Sequence, residues 1–464
     1  MSAPLSGILS NAKSGLLAHQ LALQVTSHNL ANATTEGYSR QRAELVPGTP
    51  LLTTQGLLGT GVRVADITRA RDSVLDSVFR RESSLYHGLT AQHDALLGVE
   101  LSLGEPGPTS LGATLGAFWD SWSDLANDPI SSTARVAVVA RGNQLVEHFH
   151  RVDAALDAFR TQMVDKLQTS LAEINRIVGE VADLNARIAS ASAVGVSAPD
   201  LEDRQDALID ELARYVPVVV TARTQGGVGV SVEGISVVEG STHQTLSASA
   251  VGGIWSVATS GGLVPPIAAG EVGGALKVLN DDFAVLRAGL DRLAQGIVER
   301  VNGIHATGTN SLGATGVRFF DDFGNPATVT ARTFSLDAAI LADNRAVSAG
   351  TPDGTGAYQA GENDVALALA GLRYDTAGGV LAGTSVDDAY RDLATALSVS
   401  VASSREALET HETLVAAARE RRESVSGVTT DEELIHVVQI QAAFAAASRL
   451  VSTVDEMYET LLAI

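Results

Sequence analysis

The apolar positions of this chain fall into long runs at steps of three and four, separated by stretches rich in Gly, Pro, Thr and Asp. Leu5, Ile8, Ala12, Leu16, His19, Leu23 and Leu30 keep that spacing, with Thr26 in register, and predict an opening helix. Ser2 is placed to cap it, and Pro4 is tolerated in a first turn. Lys13 is the only charged side chain before Glu36, so this helix is expected to be covered on more than one side. Asn29, Asn32 and Gly37 stop it. From Val46 to Ile67, Pro47, Pro50, Gly56, Gly59 and Gly61 punctuate short β-prone pieces such as Val62-Arg63-Val64. Helical periodicity returns near Arg69 and runs to about Leu103, where Pro106 and Pro108 break it. A further apolar piece, Leu115 to Leu125, holds Phe118, Trp119 and Trp122. Asp128-Pro129 reads as a turn before a helix over Thr133 to Phe149.

The longest stripe comes next: Leu156, Phe159, Met163, Leu167, Leu171, Ile174, Val178, Val181, Leu184 and Ile188. It predicts a separate helix roughly 50 Å long at about 1.5 Å per residue, a length that suits a rod-like bundle or coiled coil. Gly195 and Pro199 end it, and a shorter helix over Leu201 to Tyr215 precedes Pro217. Val228, Val230 and Val232 then alternate with Gly229 and Ser231, and Gly226-Gly227, Gly234 and Gly240 supply turns, so residues 216–268 predict strands. An almost strict heptad over Leu276, Leu279, Phe283, Leu286, Leu290, Leu293, Ile297, Val301 and Ile304 predicts one continuous helix. Residues 306–362 carry no helical stripe. Helix returns from about Ser385 to Val425, and again from Thr430 to Leu462.

The last segment has a strong start signal. Thr430 with Glu433 three residues on predicts a capping box, and Asp431, Glu432 and Glu433 put negative charge at the positive end of the helix dipole. Ile435, Val438, Ala442, Ala446, Leu450, Val454, Met457 and Leu461 line one face; Leu434, Val437, Phe444, Val451, Tyr458 and Leu462 line an adjacent one. Coverage this wide needs more than one neighbour. The two end segments are therefore expected to be loosely ordered in a free subunit and to fold when neighbouring subunits cover the second face.

Composition narrows the function classes. The chain has 464 residues, no Cys and a formal charge of −22. The acid excess argues against non-specific nucleic-acid binding, and the missing thiols exclude disulfides, thiolate zinc sites and a cysteine nucleophile. No run approaches the length of a transmembrane helix, so no membrane partner is expected. Met1 to Gln20 lacks the form of a cleaved secretory signal. His148 and His150, two apart on a helix, point in different directions and make poor joint metal ligands. His305, at a helix end before Gly308, is expected to act as a dipole-favoured cap. No strand–Gly-x-Ser-x-Gly–helix context supports a hydrolase. Gly226-Gly227-Val228-Gly229 and the Gly-rich run at 308–316 lack the Lys-Ser/Thr of a phosphate loop and read as turns. Trp119 and Trp122 are expected in a core. No catalytic residue, cofactor or metal is expected.

The run Ser27-His28-Asn29-Leu30-Ala31-Asn32-Ala33-Thr34-Thr35-Glu36-Gly37-Tyr38-Ser39-Arg40-Gln41 resembles the N-terminal signature of the flagellar rod, hook and hook-associated axial proteins. Its signature positions here are Asn29, Asn32, Gly37, Tyr38, Ser39, Arg40 and Gln41. The ending Gly-Tyr-Ser-Arg-Gln is similar to the hook-associated members at the hook–filament junction, whereas hook and distal rod members usually end in a Gly-Phe/Tyr-Lys form. Ser426-Gly427-Val428, the acidic triplet, Gln441, Phe444 and Leu450 through Leu462 agree at the other end. Leu201-Glu202-Asp203-Arg204-Gln205-Asp206, Gly270-Glu271-Val272-Gly273-Gly274 and Glu362 through Leu369 resemble the family's interior. Glu36 stands where Pro is usual, Thr429-Thr430 where Asn-Leu is common, and Phe444 where Tyr is common.

The resemblance implies a mainly α fold: an elongated multidomain rod with paired N- and C-terminal helices, long coiled-coil or bundle helices and two inserted β-rich regions. The expected division assigns 1–45 and 426–464 to the terminal coiled coil. Residues 46–215, 269–305 and 363–425 form a helical rod domain, interrupted by a β-rich insert at 216–268 and a small β or irregular insert at 306–362. It also implies a non-enzymatic structural subunit, secreted by the flagellar type III apparatus with an export chaperone. Such a subunit assembles head-to-tail with itself and joins the hook protein to the second junction protein. The expected assembly face comprises Leu5, Ile8, Leu16, Leu23, Leu30, Ile435, Val438, Phe444, Leu450, Val454, Met457 and Leu461. Another axial role, a surface adhesin using 216–362, or an enzyme hidden there are the alternatives.

Overall fold

The computed structural model describes residues 3–53, 56–104, 107–224, 226–381 and 383–463. Helix α1 (Ala3–Ala31) leads into a long antiparallel hairpin, β1 (Gln41–Pro47) with β4 (Val62–Arg69), whose far end is the small ribbon β2 (Leu51–Thr53) and β3 (Gly56–Leu58). The segment expected to open the helical rod at residue 46 is thus a hairpin already under way. Ser2, the expected cap of α1, lies outside the described residues.

The body is helical. Helix α2 (Ser73–Leu103) starts where the Asp72 carboxylate accepts the N–H groups of Val74 and Leu75, and ends at Gly104, whose φ of +67° only glycine adopts readily. Helices α3 (Leu111–Asn127) and α4 (Ser132–Ala193) are capped by the hydroxyls of Ser110 and Ser131. The expected break after Phe149 is absent: α4 is one helix of 62 residues. Neither Pro nor Gly stands between Phe149 and Leu156, and buried Val152 carries the apolar stripe across. At about 1.5 Å per residue it spans roughly 90 Å. Helix α5 (Pro199–Tyr215) folds back along it.

Strands β5 (Val218–Ala222), β6 (Val228–Val232), β7 (Ile235–Glu239) and β8 (Thr242–His243) form an antiparallel sheet in that order, followed by the hairpin β9 (Leu246–Val251) and β10 (Ile254–Thr259). The heptad stretch is not one α-helix. It comprises α6 (Gly270–Lys277), a π-helical turn over Val278–Asp282, and α7 (Phe283–His305). The π turn directs Asn280 at β10, where its Oδ1 accepts the Trp255 N–H (2.7 Å) and its Nδ2 donates to the Trp255 carbonyl (2.9 Å). Residues 306–362 hold little regular structure: β11 (Thr309–Asn310), α8 (Ala338–Ala342) and β12 (Ser348–Gly350). Helices α9 (Asp364–Gly371), α10 (Val386–Ser426) and α11 (Thr430–Leu462) complete the chain. Helix α10 packs along α2, and α11 runs beside α1.

A group of the chain's aromatic residues forms one cluster. Phe118, Trp119 and Trp122 of α3 meet Phe319, Phe320 and Phe334, with ring centroids 4.7–6.2 Å apart along the chain of contacts. His305 joins this core and is fully buried. Its role differs from a charged helix cap. Nδ1 donates to the Val317 carbonyl (2.7 Å) and Nε2 accepts the Ser348 N–H (3.0 Å), which fixes a neutral imidazole. Burial pushes its pKa down to about 4.

Hydropathy averaged along the helices adds one observation. Within Val386–Thr460 a stretch is long and apolar enough, by length and composition, to cross a membrane. It escapes a search for unbroken apolar runs because single Gln and His residues of α11 interrupt it. The exposed side chains of Ile435 and Val438 contribute to it.

Candidate assembly joint and terminal helices

The signature residues converge where the α1–α11 pair meets the helical body. Asn29, near the end of α1, is buried and uses its whole amide. Its Nδ2 donates to the Gln41 carbonyl (2.9 Å) and to Glu433 Oε2 (3.1 Å). Its Oδ1 accepts the Gln41 N–H (2.9 Å) and the Tyr38 hydroxyl (2.8 Å). The amide thereby pairs with β1 as another strand would, and also reaches α11. Asn32 closes the helix end by donating to the His28 carbonyl (3.0 Å). Gly37 turns the chain at φ +81°. The Tyr38 hydroxyl also meets His28 Nδ1 (3.1 Å); burial, then the charges of Asp203, Asp200 and Glu433, push its pKa far up.

The next three residues tie the pair to the body. The Ser39 N–H donates to Asp203 Oδ2 (3.0 Å), and Gln41 Nε2 donates to Asp200 Oδ1 (2.8 Å), both on α5. Arg40 donates from its backbone N–H to the Ser426 carbonyl (2.9 Å). Its guanidinium holds Glu432 (2.8 Å) and Glu433 (2.6 Å) on α11. The capping box is therefore not formed. Thr429 occupies the N-cap without a side-chain bond, Thr430 is the first helical residue, and the Glu433 carboxylate is drawn to Arg40 and Asn29. Two charge-assisted partners outcompete one backbone amide.

Beneath these residues lies an ion lattice that motif reading missed. Arg69 binds Glu202, Asp203 and Asp206, each at 2.8 Å. Arg71 binds Asp76 (2.8 Å), and Arg80 binds Asp206 (3.0 Å) and Asp210 (2.6 Å). Arg422 of α10 pairs with Asp210 and lies 4.0 Å over the Phe79 ring. For Asp206, burial alone would raise the pKa, but Arg71, Arg80 and Arg69 outweigh it and hold the carboxyl below the ordinary range. The available signal was the spacing of Asp203, Asp206 and Asp210, which share one face of α5.

The apolar positions of the terminal helices divide. Leu5 and Val454 are buried, as are Ala12, Ala18 and Val25. Leu16 and Leu23 are half-buried. Ile8, Leu30, Ile435, Val438, Phe444, Leu450 and Met457 are exposed in the single chain, Val438 to 65%. The Leu461 side chain lies outside the described residues. Among the described residues no group of three or more His, Asp or Glu side chains is arranged to hold a metal ion. His150 Nε2 donates to the Phe334 carbonyl (2.9 Å), apart from His148.

Comparison with known proteins places this arrangement. Residues 96–320 match the helical domain of flagellar hook-associated protein FlgK. Residues 421–464 match the C-terminal region of the flagellar basal body rod FlgEFG proteins, and residues 9–38 match the flagella basal body rod protein family. Flagellar hook-associated protein 1 of Bacillus subtilis is 28% identical over 98% of this chain and 97% of its own length. The Salmonella typhimurium protein of that name is 29% identical over 73% of this chain, which spans 64% of that relative. The flagellar hook junction protein FlgK of Burkholderia pseudomallei shares the fold, with a TM-score of 0.65 over 76% of this chain and all of that one at 14% identity. With its signature residues and these relatives in agreement, the chain belongs to the flagellar hook-associated protein 1 family, structural proteins of the bacterial flagellum.

Proposed function

We propose that this protein is a subunit of the hook–filament junction, where it adapts the hook lattice to the filament. In this reading α1 and α11 act as a coiled-coil pair whose second apolar face is covered by neighbouring subunits lining the inner tube. The carrying observation is the row of exposed apolar side chains on α11, Ile435, Val438, Phe444, Leu450 and Met457, beside a buried polar joint that orients the helix. An apolar face of this extent on an acidic protein is a contact surface. Copies stack head-to-tail, with the hook protein on one side and the second junction protein on the other. The strand-rich segment 216–268 and the largely irregular segment 306–362 face outward from the helical body. The chain travels through the flagellar type III apparatus with a chaperone, and its lack of Cys suits passage as an unfolded thread. Deleting the gene tests the assignment: hooks without filaments, with unpolymerised flagellin in the medium, are expected. Normal filaments on the deletion strain sink it.

A further inference from the structure

From Leu45 to Val62 the chain carries no charged side chain. At the far end of this stretch Leu51 pairs with Leu58 and Leu52 with Leu57 across β2 and β3. Successive strand residues face opposite sides, so each face of the ribbon presents one leucine pair. All four leucines are exposed, Leu52 to 78%. An uncharged ribbon that is apolar on both faces is built to be enclosed.

The ribbon stands away from the joint. Gln41, at one end of the hairpin, is bracketed by Asn29. At the other, Asn11 Nδ2 donates to the Gly59 carbonyl (3.2 Å) and Ser14 Oγ accepts the Val62 N–H (3.3 Å). From Asn29 to Asn11 helix α1 covers about 27 Å at roughly 1.5 Å per residue.

At the joint end lies a cleft of about 690 Å³. One wall carries Val78 and the guanidinium groups of Arg69, Arg71 and Arg80; the other carries Pro217 and β5. Strand β5 is the edge of its sheet. Arg223 N–H donates to the Gly227 carbonyl, which sets the alternation of the β5–β6 ladder. The N–H and C=O groups of Val218, Val220 and Ala222 therefore turn away from β6, toward the open edge. Val219 beside them is 59% exposed.

We propose that the β2–β3 ribbon of one copy seats in this cleft of a second copy, alongside the free edge of β5. The inference deepens the junction reading and rests on it. Two copies at −22 each repel. The uncharged ribbon can meet the cleft without adding to that repulsion, because Arg69, Arg71 and Arg80 are already matched by Asp76, Asp203, Asp206 and Asp210. Ribbon and cleft lie at opposite ends of the hairpin, so their contact is heterologous and propagates instead of closing into a dimer. Four leucines and one strand edge make a small interface, which acts inside an assembly and leaves the free chain monomeric.

The absence of native Cys makes the test direct. In a Leu52→Cys, Val219→Cys double variant the two thiols of one chain stand far beyond disulfide reach, about 5.5 Å between Cα atoms, and both positions are exposed enough to tolerate the change. Flagella isolated from cells making this variant, then oxidised, are expected to yield dimers and higher multimers on a non-reducing gel. Each single variant is expected to stay monomeric. Filament-bearing flagella that contain the double variant only as monomer overturn the contact, as does cross-linking by Leu52→Cys alone. Binding of the wild-type chain to phospholipid vesicles that Leu52→Asp abolishes assigns the ribbon to lipid and also overturns it. Absence of the wild-type chain from isolated flagella overturns the junction reading together with this contact.

Discussion

Asn29 carries more of the joint than any charged residue. Its amide serves the Gln41 backbone, Tyr38 and Glu433 at once. Truncation leaves the buried Glu433 carboxylate and a strand backbone short of partners, and each unsatisfied group costs about 1–3 kcal/mol. Asn29→Ala is therefore expected to lower stability by roughly 2–4 kcal/mol, read as an earlier urea midpoint, while Asn32→Ala on the more exposed rim costs less. His305 gives a pH prediction. Its folded pKa of about 4 lies below the ordinary 6.5, so the unfolded chain binds the extra proton first. The associated stability is fully present above about pH 6.5 and falls as the pH drops toward 4, by on the order of 3 kcal/mol. Urea titrations of wild type and His305→Gln at pH 7 and pH 4.5 check this: the variant is expected to lose less between the two. The signature motif made Asn29 and Arg40 legible as important in the sequence. What they bind was not legible, because Glu433 sits 404 positions from Asn29 and its spacing to Thr430 matched a cap equally well.

At the scale of elements, periodicity gave the helices but not their joins. The two stretches read as Thr133 to Phe149 and Leu156 to Ile188 are one helix, because the stripe through Phe149, Val152 and Leu156 continues without a breaker. The π turn at Val278–Asp282 was hidden for the opposite reason: it inserts itself within an apparently regular heptad, and within it Asn280 accepts from and donates to the Trp255 backbone of β10. Helices α2 and α6 meet backbone to backbone, since a Cβ on Gly274 would strike the Gly88 carbonyl; Gly270 to Gly274 read as a family-like stretch without revealing that crossing. The exposed face of α11 yields a prediction of its own. Leu450 is 52% exposed in the single chain, so Leu450→Asp is expected to leave the subunit's unfolding free energy within about 1 kcal/mol of wild type, read by urea titration. Buried between subunits, the same charge is costly. Export into the medium is expected to persist while incorporation into flagella falls at least tenfold, measured by immunoblot of the two fractions. Wild-type incorporation counts against assembly through this face.

For the molecule as a whole, the mainly α character was readable from the spacing of apolar residues, and the acidic, Cys-free composition was readable from counting. The spatial order was not, because the pieces that meet at the joint come from α1, α2, α5, α10 and α11. Arg40 holds both α11 acids with its guanidinium while its backbone binds Ser426. Arg40→Ala is expected to speed proteolysis around Ser426–Thr429 several-fold and to leave the melting of the aromatic core unchanged. Equal protease resistance in the variant would show that the remaining bonds to α5 suffice.

Among the described residues two peptide segments link the terminal pair and its β1–β4 hairpin to the helical body, Arg69–Asp72 and Ser426–Thr429, and the hydrogen bonds from the Ala70 N–H to the Arg40 carbonyl and from the Arg40 N–H to the Ser426 carbonyl hold them side by side. Mechanically this is a strap hinge. Rotation about the line joining the two crossings strains neither segment, whereas rotation about any other axis stretches one and compresses the other. The bonds from Ser39 and Gln41 to α5 set its resting angle. A subunit hinged in this way has a single soft direction. Under the proposed junction role, that is the direction in which neighbouring copies differ in tilt without disturbing the packing of either half.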